Sequence, residues 1–463
     1  MDKFRETTDT LLKRVNAIQI STIDVLYEKY KGLIHQNDAI KGSMFKGSTF
    51  TPGPDELIKT ATTVGLKLAA SCVGLAIGDS VGAPIEFLHL QNGKPIHSAL
   101  HPAPGNLQKE TRLEKGSCYL PDFNQYSGFV EKHKRWGRRN GFRQGMFTDD
   151  TSMSLCIADS LIEKQTFDGA DIRKRFFLWW KCGYNNTWMF CEDHPSIGLG
   201  LNISKSLDSM KDEHPIRPIY ISPSNDAGNG SIMRLAPIVA KYHDNDLCNY
   251  AKQSSLTTHP SIIASECCCL LAYIIKACAY NSDESIQDAI QRGIDHYMDT
   301  FTQYENDAPI LDSNPSISLK QMILFLINGT VPENNLEVFE YYAFYNWRSE
   351  DLPTLRALDA RVDLDKIGSG FNGRPTTPYY FGSFSMDAMA MALWSVYHST
   401  SFNDAILRCV NMGGDADSTA AVAGQIAGAY YGLDAVMSCP AYTDLIQFDR
   451  NEILLRGLLL ARR

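Results

Sequence analysis

Gly74, Gly78 and Gly82 recur every four residues through an otherwise apolar run. That spacing lays one smooth stripe along a helix and lets a neighbouring backbone come close. A second run, Ala420 to Gly432, is so rich in Ala and Gly that its helix must also press against its neighbours. Helical apolar patterns dominate elsewhere: Leu57–Leu75, Met153–Lys164, Ile262–Tyr280, Ser318–Asn328 and Met386–His398. Alternating, strand-like runs are few and short, so the expected fold is all-α rather than α/β. No internal repeat is visible.

The 463 residues allow two or three average domains, or one large domain with decorations. Residues 1–55 read as an N-terminal helical extension, in which Leu11, Leu12, Val15, Ile18 and Ile20 approximate a helical stripe. Its end, Gly42 to Pro54, has the Gly, Ser, Thr and Pro content of a linker. Residues 56–463 read as the main domain, with an insertion over about 89–145 that is rich in Pro, Gly and charge. The insertion carries Lys132, His133, Lys134, Arg135, Arg138, Arg139 and Arg143. Such a run is either a solvated loop or a lip that attracts a pyrophosphate or an acidic partner. The segment Asp307 to Tyr380 mixes helical pieces with polar loops.

A net charge of −9 argues against nucleic acid as a general partner. No stretch of about 20 uninterrupted apolar residues occurs, so no membrane span is expected. The best candidate, Cys267–Tyr280, is broken by Lys276 and reads as a buried helix. Met1–Thr10 carries charges and no apolar signal core, so classical secretion is not indicated. The twelve cysteines are sparse and irregular, with no CxxC pair for a zinc site. They read as reduced, buried thiols of a cytosolic protein, or of one delivered into a host cytosol.

Four segments carry chemistry. In Thr148-Asp149-Asp150-Thr151-Ser152-Met153 a helix begins with adjacent carboxylates. Along a regular helix they would point about 100° apart, but at an irregular start they can converge on one object. The alternative is that one caps the helix and the other offsets its dipole. Gly413-Gly414-Asp415-Ala416-Asp417-Ser418 presents two carboxylates and a hydroxyl within one turn. Hard oxygen donors of this kind suit Mg²⁺ or Mn²⁺, and burying them beside a close-packed helix requires a partner or a cation. Gly78-Asp79-Ser80-Val81-Gly82 belongs to the glycine stripe; Pro84 ends it, and on pattern alone Glu86 just beyond is a surface residue. Asn225-Asp226-Ala227-Gly228-Asn229-Gly230 is a glycine turn at a helix start, whose free N–H groups suit an anion. Gly198-Leu199-Gly200 and Thr258-His259-Pro260 are weaker signals, a His beside Pro being usually structural.

In this order, Gly-Asp-x-x-Gly-x-x-x-Glu, Thr-Asp-Asp-Thr-x-Met, Gly-Asn-Gly-x-x-Met-Arg, Thr-His and Gly-Gly-Asp-x-Asp-Ser-Thr resemble the ADP-ribosylglycohydrolases. That family includes the dinitrogenase-reductase-activating glycohydrolases and the ADP-ribosyl-acceptor hydrolases. The likeness covers residues 60–445 in scattered blocks. It implies a compact orthogonal helical bundle with two Mg²⁺ ions, or Mn²⁺, held by Thr148, Asp149, Asp150, Asp415, Asp417 and Ser418. It implies that Glu86 lies beside the metals, and that Gly198, Gly200, Asp226, Ala227, Gly228, Asn229 and Gly230 line an ADP-ribose groove. His259 would bond the distal part of the ligand, and Gly382 and Ser383 would meet its adenosine end.

Three features depart from the family: the preface, the long stretch from Glu86 to Asp149, and the lack of an aromatic immediately before Gly228. The implied reaction is attack of water on the anomeric carbon of a metal-held ribose, with Glu86 or Asp415 as general base. The substrate would be a mono-ADP-ribosylated protein and the product ADP-ribose, cut by a monomer. Asp-x-Asp-Ser leans towards arginine-linked ADP-ribose over serine-linked, polymeric or O-acetyl forms. Other helical metalloenzymes fit worse. A terpene synthase wants Asp-Asp-x-x-Asp where this chain has Asp149-Asp150-Thr-Ser-Met, and no His-Asp pair of a phosphohydrolase occurs at His259. A silent pseudo-hydrolase is disfavoured because all four aspartates are present.

Overall fold

The computed structural model describes residues 54–86, 143–187, 196–223, 226–243, 246–301, 319–329, 345–350 and 382–462. Nearly all of the N-terminal extension and of the 89–145 insertion, including Lys132–Arg139, lie outside these residues, as does Asn225. Among the described residues there is no strand, only one antiparallel bridge between Gly228 and Phe384, so the fold is all-α as expected.

Two helices form the axis. Helix α2 (Thr63–Gly82) is capped by Thr62, whose side chain accepts from the Gly65 N–H at 3.0 Å. This cap divides the apolar run Leu57–Leu75, and the first part forms a separate helix α1 (Pro54–Thr60). Helix α13 (Ala416–Met437) runs antiparallel against α2. A Cβ at Gly74 would stand 2.2 Å from the Gly424 carbonyl oxygen, and one at Gly78 2.0 Å from that of Ala420. At Gly82 it would fall 2.4 Å from the Asp417 Cα. The two backbones therefore touch along the stripe, and any side chain there would force them apart. Ser71 adds a hydrogen bond from its Oγ to the Gln425 carbonyl at 2.8 Å.

The antiparallel pairing puts the C-terminus of α2 beside the N-terminus of α13. Helix α3 (Asp149–Lys164) starts at the same place. Behind α3 lies α4 (Gly169–Cys182), and α5 (Leu201–Ser209) follows. A 3₁₀ turn (Asn229–Arg234) leads into α6 (Ala236–Lys241), then α7 (Leu247–Leu256), α8 (Ile262–Ala279) and α9 (Ile286–Phe301). Next are α10 (Leu319–Asn328), α11 (Ser385–Tyr397) and α12 (Phe402–Val410), the last two packed on α13. After α13 come α14 (Pro440–Asp449) and α15 (Glu452–Leu460), which lies on α2.

Helices α2 and α8 are long and apolar enough to cross a membrane, and both are buried inside the bundle by other helices. One expectation is corrected here. Cys248 of α7 and Cys269 of α8 form a disulfide, so the cysteines are not all free thiols. The short link between these two helices brings the thiols together, whereas the sequence shows Cys269 only as apolar filler in a cysteine run. Cys72, Cys156, Cys267, Cys268, Cys278, Cys409 and Cys439 are free and buried, as anticipated.

Candidate active site

Asp149 and Asp150 occupy the first turn of α3, but neither caps it. The cap comes from α2. Asp79 accepts the backbone N–H of Thr148 (3.0 Å) and of Thr151 (3.0 Å), and both threonine hydroxyls as well (2.8 and 2.6 Å). One carboxylate thus satisfies two orphan helix donors from another helix, where its charge also meets the positive end of the helix dipole. Burial pushes the Asp79 carboxyl up to about 6, against the opposing pull of those four donors. Asp79 is a site residue that reading the sequence missed. Its signal was a single carboxylate in the middle of an apolar, glycine-striped helix, where an unpartnered charge is costly.

At the start of α13, Gly413 and Gly414 both take positive φ (74° and 65°), a path closed to most side chains. The turn delivers Asp415 at the N-cap and Asp417 in the first turn. Asp415 Oδ2 accepts from Asn229 Nδ2 (2.9 Å) and Ser383 Oγ (2.8 Å). Asn229 also donates its backbone N–H to the Ser383 carbonyl and its Nδ2 to the Gly382 carbonyl, both at 2.8 Å. These bonds sew the glycine turn and the 382–383 turn onto the second aspartate motif.

The motifs meet. One oxygen from each of Asp79, Asp150 and Asp417 lies within 4.8 Å of the others, and the same holds for Glu86, Asp415 and Asp417. Asp417 belongs to both groups. Every one of these carboxylates is buried, Glu86 included, with 7% of its surface exposed. The surface placement suggested by its pattern is therefore corrected: beyond Pro84 the chain turns inward, and the Glu86 N–H donates to the Gly82 carbonyl at 3.0 Å. Among the described residues, no Lys or Arg forms an ion pair with Asp79, Asp149, Asp150, Asp415 or Asp417. Burial, then the charges of Asp79 and Asp415, holds the Asp150 carboxyl well above its usual range. Burial followed by Glu86 and Asp150 does the same to Asp417, and burial followed by Asp150 and Asp79 to Asp149.

Asp150 Oδ1 is buried with no hydrogen-bond partner. An all-oxygen set of mutually repelling carboxylates with an orphaned oxygen fits a divalent cation. The two groups that could hold one are Asp79, Asp150 and Asp417, and Glu86, Asp415 and Asp417; Asp149, expected as a ligand, belongs to neither. Asp79 has its oxygens engaged by four donors, so it braces the cluster.

The cluster opens into a cavity of about 500 Å³. Glu86, Asp149, Asp415, Asp417 and Ser418 line it, together with Gly198, Gly200, Asp226, Gly228, Asn229, Gly230, His259 and Ser383 among others. Thr148 and Asp150 are not among the lining residues. Gly198 is forced by contact, since a Cβ there would sit 1.8 Å from Asp149 Oδ1. Ala227 and Gly382 lie behind the wall: the Ala227 carbonyl accepts from Ser385, and Gly382 packs on Asp415 and Thr419. Lys205 of α5, which the sequence did not single out, is the one Lys or Arg among the described lining residues; it stands 3.9 Å from Asp226. No Phe, Tyr or Trp lines the cavity among the described residues.

The sequence pattern of the ADP-ribosylglycohydrolases matches residues 62–454, and the chain belongs to that family of hydrolases. It is similar to the ADP-ribosylarginine hydrolase Tri1 of Pseudomonas putida, 26% identical over 79% of this chain and 70% of that protein. It is also similar to ADP-ribosylhydrolase ARH3 of Gallus gallus, 27% identical over 64% of this chain and 75% of the relative. The ADP-ribosyl-[dinitrogen reductase] glycohydrolase of Rhodospirillum rubrum is 22% identical over 82% of this chain and 90% of its own length. A solved structure, an ADP-ribosylglycohydrolase-related protein complex, shares the fold with a TM-score of 0.51, over 86% of this chain and 98% of that one, at 22% identity.

Proposed function

We propose that the protein hydrolyses the glycosidic bond between ADP-ribose and a modified arginine of a protein, and that it uses two Mg²⁺ ions, replaceable by Mn²⁺. The observation that carries this reading is the meeting of two aspartate motifs, far apart in the chain, in one buried carboxylate cluster at the floor of a cavity. The arginine linkage rests on Asp415-Ala416-Asp417-Ser418 and on the likeness to Tri1.

When bound, the ions would neutralise the carboxylates, hold the ribose hydroxyls and acidify a water. The rest falls to the chain. Asp415 is fixed by Asn229 and Ser383 and serves as a rigid ligand. Glu86, at the end of the turn after α2, takes the proton of the attacking water on a carboxylate oxygen. Lys205 faces the diphosphate as the cavity's one lysine or arginine among the described lining residues. The glycine walls at 198, 200, 228 and 230 admit the ligand's backbone-hugging portion.

The test is a set of proteins mono-ADP-ribosylated through arginine, serine or a glutamate ester, each incubated with the protein and Mg²⁺. Release from arginine alone is expected. Preferential release from serine would replace the linkage assignment, and release from none would remove the reading.

A further inference from the structure

Arg234 is wholly buried, and its hydrogen bonds go to a sulfur and two hydroxyls rather than to a carboxylate, although the charges of Asp149 and Asp150 act on it. Its guanidinium carbon lies 4.4 Å from the Phe176 ring centre, its Nη1 meets the Met153 sulfur at 3.4 Å, and its Nη2 donates to two threonine hydroxyls. These are Thr257 Oγ1 at 3.2 Å and Thr258 Oγ1 at 2.6 Å. Packing alone would be served at lower cost by an apolar side chain, because a guanidinium with no ion-pair partner in contact is expensive to bury. The geometry shows what it directs.

A hydroxyl has one proton to give. Thr257 gives its proton to the Ser254 carbonyl at 2.7 Å. Thr258 Oγ1 accepts from Arg234, and its one remaining partner among the described residues is His259 Nδ1 at 2.8 Å. The arrangement that leaves no buried hydroxyl proton without a partner has Thr258 donating to Nδ1, which is then unprotonated. In a neutral ring the proton then sits on Nε2. Burial, together with the Arg234 charge, pushes the imidazole down to about 3, so the ring is neutral at working pH. The imidazole lines the cavity and lies against the glycine turn: a Cβ at Gly230 would stand 2.9 Å from its Cε1, and one at Gly228 3.5 Å from its Nε2. The glycines at 228 and 230 thus keep the ring edge clear.

We propose that Arg234 and Thr258 are positioning residues that lock His259 as its Nε2–H tautomer, so that this neutral ring donates a hydrogen bond to an oxygen of the ligand in the cavity. The identity of that ligand as ADP-ribose rests on the function proposed above; the lock itself does not. A donor fixed in this way favours an oxygen acceptor and disfavours a ligand presenting N–H or an ammonium at the same point. It also excludes His259 as the proton donor to the leaving group.

The experiment combines nitrogen NMR of ¹⁵N-histidine-labelled full-length protein with ADP-ribose binding and turnover. The His259 signals are assigned by their loss in His259→Gln. Wild type should show Nδ1 unprotonated and Nε2 protonated. Thr258→Val, which keeps the shape and loses the hydroxyl, should relax that tautomer and weaken ADP-ribose binding and KM by roughly tenfold, the worth of one hydrogen bond. Its kcat should stay within about twofold, since the ring is not part of the chemistry. Thr258→Ser should restore both tautomer and affinity. A protonated Nδ1 in wild type, or wild-type affinity in Thr258→Val, would overturn the proposal. Wild type that shows the expected tautomer yet binds no ADP-ribose would remove the functional reading and leave the lock standing.

Discussion

Helix α3 carries two buried polar clusters, one at each end, and they are solved in opposite ways. At its start, Asp150 joins Asp79, Asp415, Asp417 and Glu86, and Asp149 feels the charges of Asp150, Asp79 and Asp415, with no Lys or Arg ion-paired to any of the aspartates among the described residues. Further along, Asp159 is wholly buried and Glu163 half-buried, and each meets a guanidinium. Asp159 accepts from Arg456 Nε at 2.7 Å, Tyr184 Oη at 2.7 Å and Asn185 Nδ2 at 2.8 Å. Arg175 bridges Glu163 and Asp171, and Arg456 reaches Glu452 at 3.2 Å. Titration follows the difference. Burial alone would raise the Asp171 carboxyl, but Arg175 holds it below its usual range, whereas Asp150 stays well above. The same fold can supply a guanidinium to a buried carboxylate and does so one helix length away. Its omission at the other end leaves the place open for a cation from solution.

The largest expected effect breaks the open end. Asp150→Asn or Asp417→Asn should lower kcat/KM by about a thousandfold or more, on the order of 4 kcal/mol of transition-state stabilisation. Because these ligands act as a unit, the double variant should be barely worse than either single one. Glu86→Gln should retain bound metal while slowing turnover. Steady-state kinetics and metal content of the four proteins decide; additive losses, or full activity in either aspartate variant, would show that the carboxylates only finish their helices. Full activity of wild type after exhaustive chelation would sink the metal assignment itself.

Breaking the closed end should do the reverse. Arg456→Met leaves Asp159 buried without its ion-pair partner, held only by Tyr184 and Asn185, at a cost of about 3 kcal/mol in stability. Turnover per folded molecule should be unchanged, since nothing of this cluster reaches the cavity. Denaturant midpoints alongside active-site titration test both halves. A loss of kcat without a shift in midpoint would mean that the two ends of α3 are coupled.

How much of this contrast the sequence shows depends on distance along the chain. The glycine stripe, the helices and both aspartate motifs are legible because each is local: a period, a cap or a turn. The partnership of Gly74, Gly78 and Gly82 with α13 is not, because it depends on which two helices pair. Asp79 looked like part of the packing stripe, and only its four donors from Thr148 and Thr151 reveal its work. Lys205 is one solvent-facing lysine on a short helix until the cavity is seen around it. Arg456 and Asp159, or Cys248 and Cys269, carry no local sign of each other.

The smallest effect sharpens the comparison through pH. Asp79, Asp149, Asp150 and Asp417 are raised in the folded protein, Asp79 to about 6. A raised carboxyl binds its proton more tightly folded than unfolded, so its contribution is complete below about pH 4 and lost as pH climbs through the folded value. Asp171 is lowered, so its contribution is present above about pH 4 and lost only in acid, as pH falls through the folded value. Between pH 5.5 and 8 the contribution of Asp171 is therefore flat, whereas that of the raised carboxyls is not; Asp449, raised to about 7 by burial and Glu452, adds to the fall. In chelator, the melting temperature should fall by roughly 2–4 °C from pH 5.5 to pH 8. Saturating Mg²⁺ at pH 8 should restore it, because the ion replaces the protons as counter-charge. Asp150→Asn should blunt the fall by removing one of the repelling charges, and in chelator at pH 8 it should melt above wild type. A wild-type Tm that is level from pH 5.5 to 8 without metal would show that the open end is balanced by some other charge and has no need of a cation.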